Sequence, residues 1–445
     1  MLKIYEAYAP RANPPDANYP LGSVKNVTVP GAKDGTPLDN KWGNNTEGFY
    51  QALLADAGIV ANGQVEKVGA SQLLDAVKAT KGSVDNVDAL RLKTGGQQGD
   101  TVFVTSYYAG WASTASGAQG GGLYVLNKSS TRIDNIGAIA AAGGGMWEAV
   151  FQSGVIDASR FGMKGDLLTV PAFDSGPALN NAILFAAQGS GNETGMTISV
   201  PSMNYKITTK VLIPSWVTID FNGSTLTGSG FGSSDTVMFE TAYYNSGVII
   251  SNIGTPAESK RVIGCKIRNG RIENAKYAFN LYNFNEGSIV EEFSFSDVAS
   301  AIYASRSFYG EFKTLMCRGS AGGTASPAYT FNDFVNVENI VGVFVQGRIN
   351  GWLFNGGING LSLSNNGAEG LTGYGMKFIG EVKPINIDSN YFEGITGPAL
   401  DFSDSSQKNS VTIDNNWFFL VEKEFMAFKC LAVKLEMEMN LIAAD

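Results

Sequence analysis

Ala278-Phe279-Asn280-Leu281, Ala301-Ile302-Tyr303-Ala304, Ala328-Tyr329-Thr330-Phe331, Gly351-Trp352-Leu353-Phe354, Gly375-Met376-Lys377-Phe378 and Ala399-Leu400-Asp401-Phe402 are six copies of one pattern. A small residue is followed by an apolar one, a variable one and another mostly apolar one, at spacings of 23, 27, 23, 24 and 24 residues. Each unit holds a second strand-like run, such as Ile289-Val290-Glu291-Glu292-Phe293, Glu311-Phe312-Lys313-Thr314-Leu315 or Val337-Glu338-Asn339-Ile340-Val341. Two further runs recur closely, Ile387-Asp388-Ser389-Asn390-Tyr391-Phe392 and Ile413-Asp414-Asn415-Asn416-Trp417-Phe418. A period this short leaves no room for a crossover helix, and the leucine ladder of a leucine-rich repeat is missing. The pattern predicts a β-solenoid of parallel strands stacked ~4.8 Å apart, rung on rung.

The composition agrees. Glycine supplies 54 of 445 residues and charged residues only 16%. Aligned apolar side chains fill a solenoid, Gly and Asn make its corners, and like charges stacked on neighbouring rungs repel.

Outside the repeat the period changes. Residues 1–80 open on a Pro- and Asn-rich stretch and then read as two helices, one around Thr46–Leu54 closed by Gly58 and one over Ser71–Ala79. Residues 81–99 are polar and read as a linker. Residues 100–155 alternate, with strands at Thr101–Thr105 and Leu123–Leu126 broken by Gly120-Gly121-Gly122, and predict a small β connector. The solenoid is assigned to 156–419, about ten rungs. The Met-rich stretch 420–445 lacks turn glycines and is expected to be a helical tail, truncated or altered in reading frame relative to a full-length chain.

Several function classes are excluded. There is no histidine among 41 acidic and 32 basic residues, so His-based triads, His-ligated zinc and an imidazole base are absent. The net charge of −9 argues against nucleic-acid binding. Cys265, Cys317 and Cys430 are far apart and odd in number, which suits reduced, buried thiols. No apolar run is long enough for a membrane span, and the N-terminus does not read as a secretory signal. No metal and no cofactor are expected.

At residues 154–232 the sequence resembles the opening segment of the pectate-lyase-like, right-handed parallel β-helix found in bacteriophage tailspike and tail fibre depolymerases. The carrying residues are Arg160-Phe161-Gly162-Met163-Lys164-Gly165-Asp166, the helix around Ser175–Ile183, Thr197-Ile198-Ser199-Val200-Pro201 and Val217–Ser224. Phe161 and the helix would plug the open end of the solenoid, with Asp166 structural. Tyr19–Asn26, Asp34–Asp39 and Trp42–Asn44 look like the virion-attachment region of such proteins. The resemblance implies a virion tail protein, made in the host bacterial cytoplasm without a signal peptide and held to the phage tail or baseplate through its N-terminus. It also implies a homotrimer that binds and depolymerises a bacterial surface polysaccharide, a capsule, exopolysaccharide or O-antigen.

The leading expectation is carboxylate-based glycoside hydrolysis, which needs no histidine but does need two carboxyl groups, ~5–5.5 Å apart for retention or ~6.5–9.5 Å for inversion. Glu311 follows Ala301 by ten residues and Glu338 follows Ala328 by ten. If both face outward they stack on neighbouring rungs as an acid/base pair. Glu292, Asp333 and Glu393 are the further catalytic candidates. Tyr303, Tyr309 and Trp352 are candidates for stacking on sugar rings, although Trp352 lies in the apolar column. Asp388 and Asp414 read as corner residues. A lyase using Lys, Arg or Tyr, and a tail fibre that binds glycans without cleaving them, are the alternatives.

Overall fold

The computed structural model describes the chain except residues 1–3, 16–22, 38–39, 57–58, 65–70, 81, 152–153, 190–195, 230–236, 320–324, 337, 409, 422–425, 429–434 and 442–445. Tyr19–Gly22 and Leu38–Asp39 of the attachment-like stretch, and Gly58, lie outside the described residues. The chain divides into two units, Met1–Val84 and Asp85–Asp445.

The first unit carries both expected helices, Asn40–Asp56 and Gln72–Thr80. The Ser71 hydroxyl accepts from the Leu74 N–H at 3.0 Å, the N-cap contact that starts the second helix. A short helix, Ile4–Tyr8, and an antiparallel pair, Ala12–Asn13 with Ser23–Val24, precede them.

The second unit begins where a linker was expected. The stretch 81–99 instead holds a helix, Val87–Leu92, capped by Asn86, whose side chain accepts from Ala89 N–H. Arg91 ties this helix forward by donating to both Asp134 oxygens at 2.8 and 2.7 Å and to Asn135 at 2.6 Å. Polar composition misled here because the helix buries only Val87 and Leu90. The expected β connector follows as antiparallel strands Thr101–Val104, Gly122–Asn127, Ala138–Ala140 and Met146–Ala149, with Met146–Ala149 between Gly122–Asn127 and Ala138–Ala140. Alternation puts Val102, Val104, Tyr124, Leu126 and Trp147 inside.

A parallel β-solenoid of about 13 turns occupies the rest. Its first rungs are Val155–Asp157, Thr197–Ser199 and Thr218–Thr227, paired in parallel. The helix Gly176–Gly189 buries Leu179, Ala182, Ile183 and Ala186 beside them. Phe161 stacks on Phe151 at 5.8 Å and tilts against Phe185 at 5.6 Å. Asp166 is structural, accepting from the backbone N–H groups of Leu168 and Thr169, both at 2.7 Å, bonds that hold its carboxyl below the usual range. An antiparallel hairpin, Val237–Asn245 with Val248–Ser251, is inserted before the regular repeat.

The tetrapeptide repeat forms interior ladders. Phe331, Phe354, Phe378 and Phe402 stack with centroids 5.2, 4.9 and 4.5 Å apart. Each such ring contributes roughly 1.5–3 kcal/mol by burial. Three columns of left-handed residues turn the corners. One runs Asn269, Glu292, Thr314, Gly342, Asn365, Ser389, Asn415; the second Asn274, Asp297, Gly319, Gly347, Gly370, Gly394, Leu420; the third Asn283, Arg306, Asp333, Gly356, Gly380. The predominance of Asn and Gly follows from the cost of a Cβ in this conformation. Inside the first corner, Asn366, Asn390 and Asn416 form a buried ladder. Asn390 Oδ1 accepts from Asn366 N–H and Asn416 Oδ1 from Asn390 N–H, each at 2.9 Å.

The expected helical tail is not observed. Beyond Phe419 the described residues include two strands, Met426–Phe428 and Leu435–Leu441, each paired in parallel with the preceding rung. In Leu435–Leu441 the apolar residues alternate with Glu436, Glu438 and Asn440, which is the period of a strand and not of a helix. Glu422, Lys423 and Glu424 lie outside the described residues.

Candidate functional site

Between the three corners lie three faces. Face A carries Glu311 and Asn339, face B carries Phe344, Tyr391 and Trp417, and face C carries Tyr303 and Lys377. The sequence candidates are scattered over all three.

Glu311 and Glu338 do not stack. Glu311 pairs with Asn339, and its carboxylate forms an ion pair with Lys313. The reason is a bulge one face earlier, where Ser305 opposes Asn332 but Ser307 opposes Val335. The extra residue shifts the following segment by one position, which exchanges inside for outside. Glu338 therefore points into the core at 1% exposure, and neither carboxylate oxygen has a hydrogen-bond partner. Burial pushes its carboxyl up to about 8, with the neighbouring Ser307 hydroxyl and Gly310 amide opposing the shift. The Ser307 hydroxyl is already donated to the Phe284 carbonyl at 2.8 Å.

Glu292 and Asp333 are exposed corner residues with φ of 58° and 67° in different corner columns. Arg306 lies 3.7 Å from Asp333. Tyr303 is half-buried against Tyr277 at 5.7 Å, and its hydroxyl accepts from Asn332. Tyr309 is exposed at the turn before Gly310. Trp352 is fully buried and stacks on Tyr329 at 5.5 Å, so it is core and not a platform for sugar.

Glu393 alone among the acidic candidates has an outward carboxylate partner, and it is one the sequence reading missed. Glu369 is its register neighbour on the preceding rung of face B, with Gly367 opposite Tyr391 beside them. The backbones are thus ~4.8 Å apart. Tyr391 donates its hydroxyl to Glu393. That bond, with lesser effects of burial and of the Glu393 and Glu369 charges, pushes the phenol up to about 12. The next rung adds Trp417, whose ring lies 4.8 Å from Tyr391 and 6.0 Å from Phe419. The rung before Glu369 adds Phe344, whose ring covers bare Gly367; a Cβ there would meet it at 2.3 Å. Phe344 and Trp417 are 38% and 37% exposed. The result is a surface strip of aromatic rings beside a strip of two carboxylates. A signal was present in the Glu369-Gly370 and Glu393-Gly394 dipeptides, 24 residues apart, one repeat period.

Asp388 and Asp414 are also register neighbours, on face A. Asp388 accepts from the Asn415 side chain at 3.2 Å and from Ser389 at 3.2 Å, which ties it to the corner, as expected.

Residues 83–152 match the family model described as the phage tail protein small four-stranded beta-sheet domain. The chain resembles a phage tailspike. The matched segment is the helix-plus-sheet module ahead of the solenoid. Similar solved structures include the enzymatically active domain of tailspike protein 4 of bacteriophage CBA120, at 15% identity and a TM-score of 0.48, covering 80% of this chain and 48% of that one. Tailspike gp49 of the Acinetobacter baumannii bacteriophage Fri1, described as a capsular polysaccharide depolymerase, matches at 13% identity and a TM-score of 0.37, covering 75% of each chain. WceF of Pantoea stewartii, described as a glycan biofilm modifying enzyme with a tailspike-like parallel β-helix, matches at 14% and 0.42, covering 80% of this chain and 46% of that one. The tailspike-like chain spans about half the length of the two CBA120 tailspike domains it matches.

Proposed function

We propose that this chain is a phage tailspike that binds and hydrolyses a bacterial surface polysaccharide on face B, with Glu369 and Glu393 as the catalytic carboxyl groups. The observation that carries the reading is their register pairing on adjacent rungs with Tyr391 and Trp417 alongside. One rung, ~4.8 Å, lies close to the ~5–5.5 Å separation used with retention.

In this reading Glu369 protonates the glycosidic oxygen as the bond to the anomeric carbon breaks, and Glu393 attacks that carbon to form a glycosyl ester. Glu369 then takes a proton from water, whose oxygen displaces Glu393. The Tyr391 hydroxyl orients Glu393 and supports its negative charge. Trp417 and Phe344 offer flat faces to sugar rings. The proposal extends to a virion location, with the N-terminal unit attached to the phage tail or baseplate, and to a homotrimer, which sedimentation would report directly.

The test is to incubate the purified chain with capsule and O-antigen from candidate hosts, following reducing ends and unsaturated-uronate absorbance. New reducing ends without absorbance, lost in both Glu369→Gln and Glu393→Gln, are expected. Absorbance would replace the hydrolase with a lyase, and binding without either product would leave a receptor-binding fibre.

A further inference from the structure

We infer that the glycan taken by face B is built of non-acidic sugars over the bound segment, and that acidic polysaccharides are rejected electrostatically. The inference rests on the proposed site but concerns its selectivity. Across the rungs from Phe344 to Phe419, the outward positions of face B hold no lysine or arginine among the described residues. The nearest cation in the carboxylate column, Arg318, is two rungs before Glu369, with Gln346 between them.

Arg348 follows the corner at Gly347 but is 3% exposed and spends its guanidinium on the carbonyls of Val298 at 2.8 Å, Ala299 at 2.6 Å and Gly319 at 2.9 Å. It is therefore withdrawn from the surface. Asp388 and Asp414 lie across the first corner, on face A. A polymer lying over Tyr391 and Trp417 thus runs beside the Glu369 and Glu393 carboxylates. A uronate there would place like charges a few ångströms apart with no cation between them. A neutral sugar avoids that repulsion. It stacks on the rings and turns its hydroxyl donors to Glu369, Glu393 and Gln346.

The test measures binding of the intact chain, and of Trp417→Ala, to a panel of purified capsular polysaccharides with and without uronic acids, at low and high salt. Polysaccharides whose binding weakens by about tenfold in Trp417→Ala are expected to be free of acidic sugars. Their affinity should change little with salt. Any uronate-containing polymer should bind measurably only at high salt or in the Glu369→Gln/Glu393→Gln double variant, where repulsion is screened or removed. Tight, Trp417-dependent binding of a uronate-containing polysaccharide at low salt overturns this inference and leaves the site standing. Absence of any Trp417-dependent binding overturns both.

Discussion

The Glu338 carboxylate rests on the bare Cα of Gly310 in the preceding rung: a Cβ at position 310 would lie 2.7 Å from Oε2, 3.1 Å from the Phe284 ring and 3.2 Å from the Ser307 hydroxyl oxygen. The same interior column holds Cys265, Ser288, Leu361 and Ile385, all buried. A carboxyl group occupies a place where its neighbours are small or apolar, and the glycine makes room for it. Gly310→Ala is expected to destabilise the solenoid by ~1–3 kcal/mol through overpacking. Glu338→Ala in the same chain should restore part of that loss, a coupling that a double-mutant cycle by thermal unfolding reads directly.

Glu338 also sets a pH dependence. Its folded value of about 8 lies above the ordinary 4.5, so between these pH values the folded chain holds a proton that the unfolded chain has released. The associated stability is fully present below about pH 4.5, falls as pH rises toward 8, and is gone above it. Glu338→Leu should therefore unfold at higher denaturant concentration than the parent chain at pH 8, with a gain on the order of a few kcal/mol. The gap should shrink at pH 5. Equal gaps at both pH values would show that the carboxyl does not titrate in the core.

Tyr391→Phe removes the hydroxyl that orients Glu393 while keeping the ring beside Trp417. Turnover should fall about ten- to hundredfold, the usual weight of a hydrogen bond to a charged group, with polysaccharide binding nearly unchanged. A parallel loss of binding would make the Tyr391 hydroxyl a direct contact to the sugar and not a positioning group for Glu393.

Phe378 lies between Phe354 and Phe402 at 4.9 and 4.5 Å. Phe378→Ala should cost ~3–5 kcal/mol, because the rungs on both sides are held by their own backbone ladders and cannot collapse into the gap. Chemical denaturation of the purified variant measures it.

Leu420 has φ of 49° in a column whose neighbouring rungs use Gly394, Gly370 and Gly347, and its side chain is 56% exposed. Leu420→Gly relieves left-handed strain of ~1–2 kcal/mol per residue against the greater chain entropy of glycine. A net gain of up to ~1 kcal/mol is expected in thermal unfolding, with glycan binding retained.

The solenoid was legible because its repeat acts locally. The tetrapeptides Gly351–Phe354 and Gly375–Phe378 place Phe354 and Phe378 in one column whatever lies elsewhere in the chain, and Asn or Gly at the corners pays the steric cost of left-handed turns. The candidate site was only partly legible. Glu393 was named, but its partner Glu369 was not, since their pairing depends on the register of strands on successive rungs. The helix Val87–Leu92 and the strands after Phe419 were misread, the first because its apolar content is slight and the second because an alternating pattern was taken for a helical one.

Composition and periodicity by themselves determined a stacked parallel solenoid and excluded imidazole chemistry, which left carboxylates, Lys, Arg and Tyr as the acid/base groups. Tertiary structure decided which carboxylates face outward. A single extra residue between Asn332 and Val335 turned Glu338 into the core and left Glu311 paired with Asn339, while uninterrupted register kept Glu369 opposite Glu393. Side chains in a strand alternate with a period of two, so one inserted residue reverses every face after it. The length of the insertion is written in the sequence, but the position where the chain absorbs it is set by packing against the neighbouring rung.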